Sequence, residues 1–427
     1  MTKKVLIVAY YWPPAGGPGV QRWLKFVKYL RDFDIEPIVF IPKNPNYPII
    51  DESFSEEIPK DITIIKHPIF EPYELAQLFS KKKTKKISRG IIAKEKQTFI
   101  EKMLLYIRGN FFIPDARAYW VKPSVKFLKE YIHAQNIDTI ITTGPPHSLH
   151  LIGLKLRKQL PVKWVADFRD PWTSIGYHEK LRLTKKSQKK HLAMESEVLQ
   201  TADCIITTSF TTKNEFSKLT TQPIEIITNG YDVETYKTTP MDEKFTLSHI
   251  GSLLSERNPV VLWEVLAELT QTHEDFNRDF QLQFAGVISE RIQRAIRNVG
   301  LDGHTTYFGY VSHQRALQLQ RASQLLLVIE IDSEKTKGII AGKLFEYMAA
   351  ERPIIGIGPK DADIAKIIQE TNTGTYFLYT DKEKLRTQIL AYYEAFTQQK
   401  LQVSPIGLQQ YSRKALTQKL AEVLHTL

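Results

Sequence analysis

The sequence of 427 residues is 42% hydrophobic and 25% charged, which are the proportions of a globular protein. This length exceeds one ordinary hydrophobic core and predicts two domains of about 200 residues each. No apolar stretch approaches the roughly 18 residues of a transmembrane helix. The single cysteine, Cys204, excludes an internal disulfide, and its apolar neighbours indicate a buried strand and fit a reducing cytoplasm.

The net charge of +11 comes from the first half of the chain. Residues 1–240 contain 37 lysines and arginines against 25 acidic residues, whereas residues 241–427 contain 21 against 22. Segment 81–102 holds nine basic and two acidic residues, and apolar pairs such as Ile91-Ile92 interrupt it. This pattern predicts contact with an anionic membrane surface, with a solvated loop as the alternative. No zinc-binding or RNA-binding motif favours a nucleic acid.

The first half of the chain alternates apolar runs of strand length with amphipathic segments of helix length. The run after residue 4 lacks the small-residue cleavage site of a signal peptide, so we expect a first strand there. A helix is predicted over 20–31, where Trp23, Val27 and Leu30 recur at helical spacing. The predicted strands are 4–10, 36–41, 62–66, 138–143, 162–167, 203–208 and 224–228. The alternation predicts a mostly parallel sheet with helices on both faces.

A polar segment without periodicity, 234–244, predicts a linker, and the alternation then starts afresh. The strands predicted there are 245–250, 280–285, 305–308, 324–330 and 353–357. The predicted helices are 259–272, 289–299, 312–321, 342–350, 361–371 and a closing one from Tyr411 to Leu427. We therefore predict an N-terminal domain over 1–238 with a basic insertion near 81–102, a C-terminal domain over 239–408 and a closing helix over 409–427. Two doubly wound domains place a ligand in a cleft at the carboxyl ends of their strands.

A glycine-rich loop, Gly16–Gly19, follows the first predicted strand. Glycine lets backbone N–H groups approach an anion closely, and the N-terminus of the following helix adds partial positive charge. We therefore expect Gly16 and Gly17 to contact a phosphate-bearing ligand, with a plain tight turn as the alternative. The spacing is not Gly-x-Gly-x-x-Gly, and no suitably placed acid follows the second strand, which argues against a dinucleotide site.

Two further loops that follow predicted strands carry candidate residues. His147, in Gly144–Ser148, could donate to a phosphate or act on a hydroxyl, or it could be an ordinary loop histidine or helix cap. Asp167–Trp172 contains two acids and Arg169, whose desolvation is costly unless they bind a ligand or one another. An internal ion pair between Arg169 and Asp170 is the alternative here. Because no other ligand cluster accompanies the Asp-x-x-Asp pair, we predict no metal.

A second group of candidate residues comes from the second half of the chain. These residues are Gly251, Ser252, Arg257, Gly342, Lys343, Leu344 and Glu346. The first of them ends a predicted strand, and the last four open a predicted helix. The start of that helix can receive a phosphate, Lys343 can neutralise it, and Glu346 can accept hydrogen bonds from ribose hydroxyls. Glu346 capping its own helix is the alternative.

Together these motifs resemble those of the bacterial family-4 retaining glycosyltransferases of GT-B fold, over essentially the whole chain. The most specific stretches are Trp12–Gln21 and Gly342–Ala350, and Gly144–Ser148 and Asp167–Trp172 resemble the branch that builds capsular, exopolysaccharide or O-antigen chains. The resemblance implies an α/β fold of two doubly wound Rossmann-like domains, the first for the acceptor and the second for a nucleotide sugar. The resemblance implies that Gly16 and Gly17 approach the donor diphosphate or the acceptor. It also implies that Gly342, Lys343 and Leu344 bind the diphosphate and that Glu346 binds the ribose.

One departure from the family pattern concerns positive charge. Near Gly251 the arginine that the family usually has is Ser252, and the lysine is Arg257. Arg257 and Lys343 must therefore carry more of the charge that stabilises the leaving diphosphate.

Two other departures concern the residues that face the sugar and the acceptor. Where the family has an acid, this chain has Gly338, for which Glu330 or Glu334 could substitute. The histidine of the family's His-Asp pair is replaced by an arginine. The catalytic, acceptor-side residues that we predict are therefore Asp170, Arg169 and His147. Both replacements also occur in the resembling branch, which indicates a subtype.

The implied function is transfer of a hexosyl or N-acetylhexosaminyl unit from a UDP- or GDP-sugar to an acceptor hydroxyl, with retention. The acceptor would be a glycan or lipid-linked glycan, and the protein would be cytoplasmic, at the inner face of the cell membrane. No metal or other cofactor is expected, because Arg257 and Lys343 would supply the charge. One alternative is a nucleotide-sugar 2-epimerase on the same fold, which Gly338 does not favour. The other is a non-enzymatic basic scaffold that binds nucleic acid or membrane.

Overall fold

The computed structural model describes residues 2–71, 99–174, 178–232 and 239–427. Most of the predicted basic insertion near 81–102 and part of the predicted linker lie outside these described residues. The chain forms two compact units, of which unit 1 comprises Met1–Asn229 and Arg413–Leu427, and unit 2 comprises Gly230–Ser412. These limits lie near the predicted ones at 238/239 and 408/409, and each unit contains a parallel sheet.

The sheet of unit 1 has seven strands in the order β3-β2-β1-β4-β5-β6-β7, all parallel. They are β1 (Lys3–Val8), β2 (Ile35–Pro42), β3 (Thr63–His67), β4 (Thr139–Gly144), β5 (Lys163–Phe168), β6 (Cys204–Thr207) and β7 (Ile224–Ile226). Every strand predicted in this half is confirmed. The strand order reverses between β1 and β4, so the loops after these two strands flank the point where open α/β sheets bind ligands.

Helices cover both faces of this sheet. In chain order they are α1 (Pro18–Leu30), α2 (Ser53–Glu56), α3 (Phe99–Phe111), α4 (Ala118–Gln135), α5 (Ser148–Gln159), α6 (Lys185–Thr201) and α7 (Phe210–Phe216). Along β1, Leu6 and Val8 pack in one core with α4 and α5. Val5 and Ile7 point the other way, into a core shared with α1 and the last helix of the chain. Burial on both faces explains the continuous apolar runs of these strands.

The sheet of unit 2 has six strands in the order β10-β9-β8-β11-β12-β13. They are β8 (Phe245–Ile250), β9 (Phe280–Ala285), β10 (Thr305–Gly309), β11 (Leu325–Ile329), β12 (Ile354–Gly358) and β13 (Gly374–Leu378). The order reverses between β8 and β11. Strand β13 was not predicted, because it begins with Gly374 and glycine is typical of turns. The backbone of β12 requires that glycine, because a Cβ at residue 374 would lie 2.0 Å from the Ile354 carbonyl oxygen.

The five helices predicted before the closing helix are confirmed in unit 2, and the structure adds Glu274–Asp279 and Lys382–Thr397, which were not predicted. They are α8 (Val260–Thr272), α9 (Glu274–Asp279), α10 (Glu290–Asn298), α11 (His313–Ala322), α12 (Lys343–Ala349), α13 (Asp363–Glu370) and α14 (Lys382–Thr397). The chain then returns to unit 1 as α15 (Arg413–Thr426), which packs beside α1 in the core on that face of the sheet. The closing helix is therefore confirmed, and it belongs to the first unit.

A buried ion pair joins the end of β5 to α1. Asp167 is fully buried, and Arg22 donates to its Oδ1 at 3.0 Å. Trp23 Nε1 and Thr143 Oγ1 donate to Oδ2 at 2.9 and 2.8 Å. Arg22 also donates to the Thr228 carbonyl at 2.7 Å. Burial lowers the pKa of Arg22, and the Asp167 carboxylate counteracts this shift. The network therefore fixes the loops after β4 and β5 relative to the start of α1.

We expect Asp167→Ala to lower the free energy of unfolding by about 3–5 kcal/mol, because it leaves the Arg22 guanidinium buried without its partner. Urea unfolding followed by circular dichroism measures this loss. The control is Asp275→Ala, which removes an ion pair to Arg278 whose side chains are 73% and 67% exposed; it should leave stability unchanged. Equal stability of the two variants would show that the buried pair is not a structural link.

Candidate functional site

The residues predicted in the first half of the chain meet at one edge of the unit 1 sheet. Gly16 and Gly17 follow β1, His147 follows β4, and Arg169 and Asp170 follow β5. Because these three strands are neighbours and parallel, their carboxyl ends lie side by side. The structure thus places all five residues in adjacent loops around the reversal of strand order.

Gly17 and Gly16 differ in what they expose. Gly17 has φ 109°, which favours glycine, and it caps α1 without any side-chain hydrogen bond to the helix. A Cβ built on Gly17 would meet no atom within 4 Å. Gly16 instead donates its N–H to the Ile49 carbonyl at 3.0 Å, and a Cβ there would lie 2.9 Å from Ile49 Cγ2. Gly17 is therefore the glycine with open space beside its Cα, while its carbonyl accepts from the N–H groups of Val20 and Gln21.

Arg169 connects two of these loops. One guanidinium nitrogen donates to the Pro145 carbonyl in the loop after β4. The other lies against Gly19, where a Cβ would come within 1.6 Å of it. The glycine at position 19 therefore lets this cation lie at the start of α1.

Asp170 lies beside Arg169 but forms no ion pair with it within 4 Å among the described residues. Among the residues that the structure describes, no group donates a hydrogen bond to the Asp170 carboxylate. Burial raises the pKa of Asp170, the Asp167 carboxylate adds to the effect, and Arg169 opposes it. A raised pKa makes this carboxylate a stronger base than an ordinary aspartate.

His147 lies below the surface, with 5% of the residue exposed. Its ring stacks on Trp172 with the centroids 5.2 Å apart and the planes at 4°. Neither ring nitrogen has a hydrogen-bond partner among the described residues. Burial, together with nearby His150 and Arg169, holds the pKa of His147 well below its usual value, so the ring is neutral. To touch an acceptor, the ring would have to turn out of this stack.

Sequence reasoning missed two acids that hold these loops. Asp115 accepts from the N–H and the hydroxyl of Ser148, each at 2.9 Å, and so fixes the start of α5 beside His147. Glu195 accepts from the N–H groups of Trp172 and Thr173, each at 3.1 Å. Both acids lie more than 20 residues from their partners along the chain. No spacing pattern could have shown these contacts.

In unit 2, Lys343 lies at the reversal between β8 and β11. Its Nζ is 2.9 Å from His249 Nε2, and a Cβ on Gly251 would lie 2.7 Å from the same nitrogen. Gly251 also has φ 120°, so glycine is required there by conformation as well as by space. The end of β8 is therefore shaped around the lysine amine.

His249 is 1% exposed, and its other ring nitrogen, Nδ1, lies 2.9 Å from the Leu327 carbonyl oxygen. A carbonyl can only accept, so Nδ1 carries the hydrogen and Nε2 offers a lone pair to Lys343. Burial and the Lys343 charge hold the pKa of His249 well below its usual value. Burial and the charge of Arg257 in turn lower the pKa of Lys343 to about 7. The amine of Lys343 therefore gains and loses its proton near neutral pH.

Arg257 and Glu330 form an ion pair beside this lysine. Arg257 Nη2 donates to Glu330 Oε2 at 3.1 Å, and Glu330 is 1% exposed. Burial raises the pKa of Glu330, although Arg257 and Lys343 oppose the shift. Glu334, the other acid considered as a substitute at position 338, lies on the surface and pairs with Lys337. Glu330 is therefore the acid that contacts the cationic group.

Glu346 does not cap its own helix by a hydrogen bond among the described residues; its Oε2 accepts from buried Gln320 at 3.0 Å. Tyr347 anchors the same helix on β8, since its hydroxyl accepts from the Ile250 N–H at 2.8 Å and donates to the Ile250 carbonyl at 3.2 Å. The remaining predicted residues are Gly342, which precedes α12, Leu344, which is buried, and Ser252, which is exposed.

The unit 2 arrangement is suited to an anion with hydroxyl groups nearby. Two cations, Arg257 and Lys343, lie where a glycine permits close backbone approach, and Glu346 offers a carboxylate one turn along α12. Among the described residues, no group of three or more metal-binding side chains is close enough to hold a metal ion. In the same residues, no helix has the length and apolar character needed to cross a membrane.

Two protein-family models match the chain in succession. Residues 91–235 match the model described as Glycosyltransferase Family 4, and residues 244–395 match Glycosyl transferases group 1. No curated protein matches the sequence.

Solved structures of similar fold cover the whole chain. The sucrose-phosphate synthase of Thermosynechococcus elongatus has a TM-score of 0.61 and 13% identity, covering 99% of this chain and 98% of its own. A putative UDP-N-acetylglucosamine 2-epimerase from Listeria monocytogenes has a TM-score of 0.56 and 13% identity, covering 100% and 96%. WaaG, a glycosyltransferase involved in lipopolysaccharide biosynthesis, has a TM-score of 0.52 and 15% identity, covering 99% and 95%.

At these identities the likenesses show the fold, which is the predicted GT-B arrangement of two Rossmann-like domains. The two matched models supply the family. The chain therefore belongs to the glycosyltransferases of GT-B fold, with a Glycosyltransferase Family 4 domain followed by a Glycosyl transferases group 1 domain.

Proposed function

We propose that this glycosyltransferase transfers a hexosyl or N-acetylhexosaminyl unit, with retention, from a UDP- or GDP-sugar to a hydroxyl of a glycan or lipid-linked glycan. Capsule, exopolysaccharide or O-antigen synthesis at the cytoplasmic face of a bacterial membrane is the process that we propose it serves. The observation that carries the proposal is the group of Lys343, Arg257 and Glu346 at the carboxyl ends of β8 and β11. A sugar nucleotide offers the two features that this group can bind, a diphosphate and a ribose diol.

In this proposal the donor diphosphate binds between Lys343 and Arg257, over the backbone of Gly251. Diphosphate binding draws Lys343 away from His249 and favours its charged form, since the anion is a stronger partner than a neutral imidazole. Each preorganised donor to the leaving group contributes on the order of 3 kcal/mol to catalysis. With two cations supplying the charge, the reaction needs no metal.

Two acids have separate roles in the donor site. Glu346, oriented by Gln320, accepts hydrogen bonds from the ribose hydroxyls. Glu330 keeps the guanidinium of Arg257 in place, and its Oε1 has no hydrogen-bond partner among the described residues. We propose that this oxygen faces the sugar in place of the family's acid, whose position is Gly338 in this chain.

Acceptor binding is proposed for unit 1. Asp170 would accept a hydrogen bond from the attacking hydroxyl, and its raised pKa suits it to take up the proton as the glycosidic bond forms. Arg169 would hold the polar groups of the acceptor in the open space beside Gly17. His147 would bind the acceptor after its ring leaves the stack on Trp172.

The 2-epimerase alternative shares the fold, and the likeness to such a protein shows no more than that. Epimerisation requires acids and histidines around the sugar ring, and Gly338 removes one such position. The two matched glycosyltransferase models favour transfer.

We expect Lys343→Ala to weaken binding of the preferred sugar nucleotide by at least about tenfold, because a desolvated charged hydrogen bond contributes roughly 1.5–3 kcal/mol. A thermal-shift panel of UDP- and GDP-sugars identifies the donor, and titration of that donor measures its affinity. Glu346→Ala should have a comparable effect through the ribose. Lys384→Ala, which removes a lysine that is 74% exposed and paired with Asp381, is the matched control. Native-like donor binding by both site variants would show that the donor site lies elsewhere.

We also expect the product to keep the anomeric configuration of the donor sugar. NMR of the glycoside formed from an α-linked sugar nucleotide should show an α linkage, and Asp170→Asn should slow transfer by about a hundredfold or more through loss of the base. A β-linked product would contradict retention. Accumulation of the 2-epimer of the donor without transfer would establish the epimerase instead.

A further inference from the structure

The surface of unit 1 near the start of α4 exposes several aromatic side chains next to one another. Phe70 and Tyr119 are 57% and 55% exposed, and their ring centroids lie 6.1 Å apart. Phe112, next to the 70% exposed Phe111, also lies 6.1 Å from Tyr119. Single exposed apolar residues are ordinary, but a contiguous group marks an interaction surface. We refer to Phe70, Phe111, Phe112 and Tyr119 as the aromatic cluster.

The same helix continues from this cluster into a basic groove. Lys122, Lys126 and Lys129 recur at helical spacing along α4 and, with Lys155 on α5, line a groove of about 510 Å³. Glu130 is the one acid among the described residues that line it. None of the four lysines forms an ion pair with another described residue. We refer to these lysines as the lysine groove.

Concentrated positive charge without internal partners attracts anions, which relieve the repulsion between the like charges. Aromatic rings beside lysines are the composition of surfaces that lie in the headgroup region of a bilayer. The ring planes within the aromatic cluster are inclined at 78° and 71°, which offers no parallel platform for stacked bases. The positive charge would attract either anion, and the ring geometry favours anionic lipid over nucleic acid.

We propose that the aromatic cluster and the lysine groove form one docking surface for an anionic lipid bilayer, with phosphates in the groove and rings among the headgroups. This inference rests on the proposed function in one respect, because a lipid-linked acceptor gives the enzyme a reason to bind a membrane. The surface lies on the outer side of α4 and α5, and it contains none of the residues assigned to donor or acceptor binding. Variants here therefore leave the catalytic machinery intact.

The test is sedimentation of the full chain with vesicles of phosphatidylcholine, with and without phosphatidylglycerol. The test variant is Lys122→Glu/Lys126→Glu/Lys129→Glu. The control is Lys28→Glu/Lys414→Glu/Lys419→Glu, an equal change of net charge on α1 and α15, which pack against the opposite face of the sheet. Circular dichroism checks that this variant folds, because Lys414 pairs with Asp32 and Lys419 donates to the Ile226 carbonyl.

The native protein should bind anionic vesicles in a salt-sensitive manner. The test variant should lose at least about a hundredfold in partitioning, since each lysine near such a surface contributes roughly fivefold and the glutamates add repulsion. The control should lose much less. Phe70→Ser/Tyr119→Ser should also weaken binding while the salt dependence persists, because these rings carry no charge.

Equal losses in the test and control variants would overturn the proposal, as would binding of a single-stranded RNA oligomer by the native protein in place of vesicles. Thermal stabilisation by a sugar nucleotide, measured on the same samples, separates the two claims. Vesicle binding without such stabilisation would retain the docking surface and reject the proposed function. Stabilisation by a sugar nucleotide without vesicle binding would reject the docking surface and retain the proposed function.

Discussion

The contact between Lys343 and His249 is the interaction on which the candidate donor site of unit 2 depends. The amine lies 2.9 Å from a neutral imidazole, and Gly251 leaves the space that it fills. A partly buried ammonium without an ion-paired carboxylate is costly, and burial together with the Arg257 charge lowers the pKa of Lys343 to about 7. An arriving diphosphate would remove this cost. Lys343 thus gains or loses its charge near neutral pH, at the position that we propose for the leaving diphosphate.

At the corresponding edge of the unit 1 sheet, by contrast, a buried charge has its partners within the protein. This charge, Asp167, is saturated by Arg22, Trp23 and Thr143, and so has a structural role. Next to it, Asp170 has no hydrogen-bond donor among the described residues, and Arg169 reaches across to the start of α1. One acid of the Asp-x-x-Asp pair therefore stabilises the scaffold, while the other remains at the edge where an acceptor would bind. This division of roles explains how a charged segment can be both a core element and a candidate site.

The sequence was sufficient to predict most strands, because parallel strands buried on both faces are continuous apolar runs, as in β1 and β4. It was also sufficient to place the candidate residues in loops at the carboxyl ends of those strands. It could not distinguish Gly16, covered by Ile49, from Gly17, which is open, since the covering segment comes from later in the chain. The anchoring acids Asp115 and Glu195 and the pairing of Arg257 with Glu330 are likewise long-range contacts. Residue types and spacing show where chemistry can occur, whereas partners that arrive by folding decide which atoms are available for it.

The measurement that tests this account most directly is proton uptake on donor binding. Calorimetric titration with the preferred sugar nucleotide at pH 8, in buffers of different ionisation enthalpy, gives the number of protons taken up per donor bound. Free Lys343 is largely neutral above its pKa of about 7, and the bound diphosphate raises that pKa toward the usual value. We therefore expect uptake of about one proton at pH 8 and little at pH 6, with uptake abolished in Lys343→Arg. The affinity should fall as the pH rises above 7. Donor binding at pH 8 without proton uptake would contradict the claim that Lys343 receives the diphosphate.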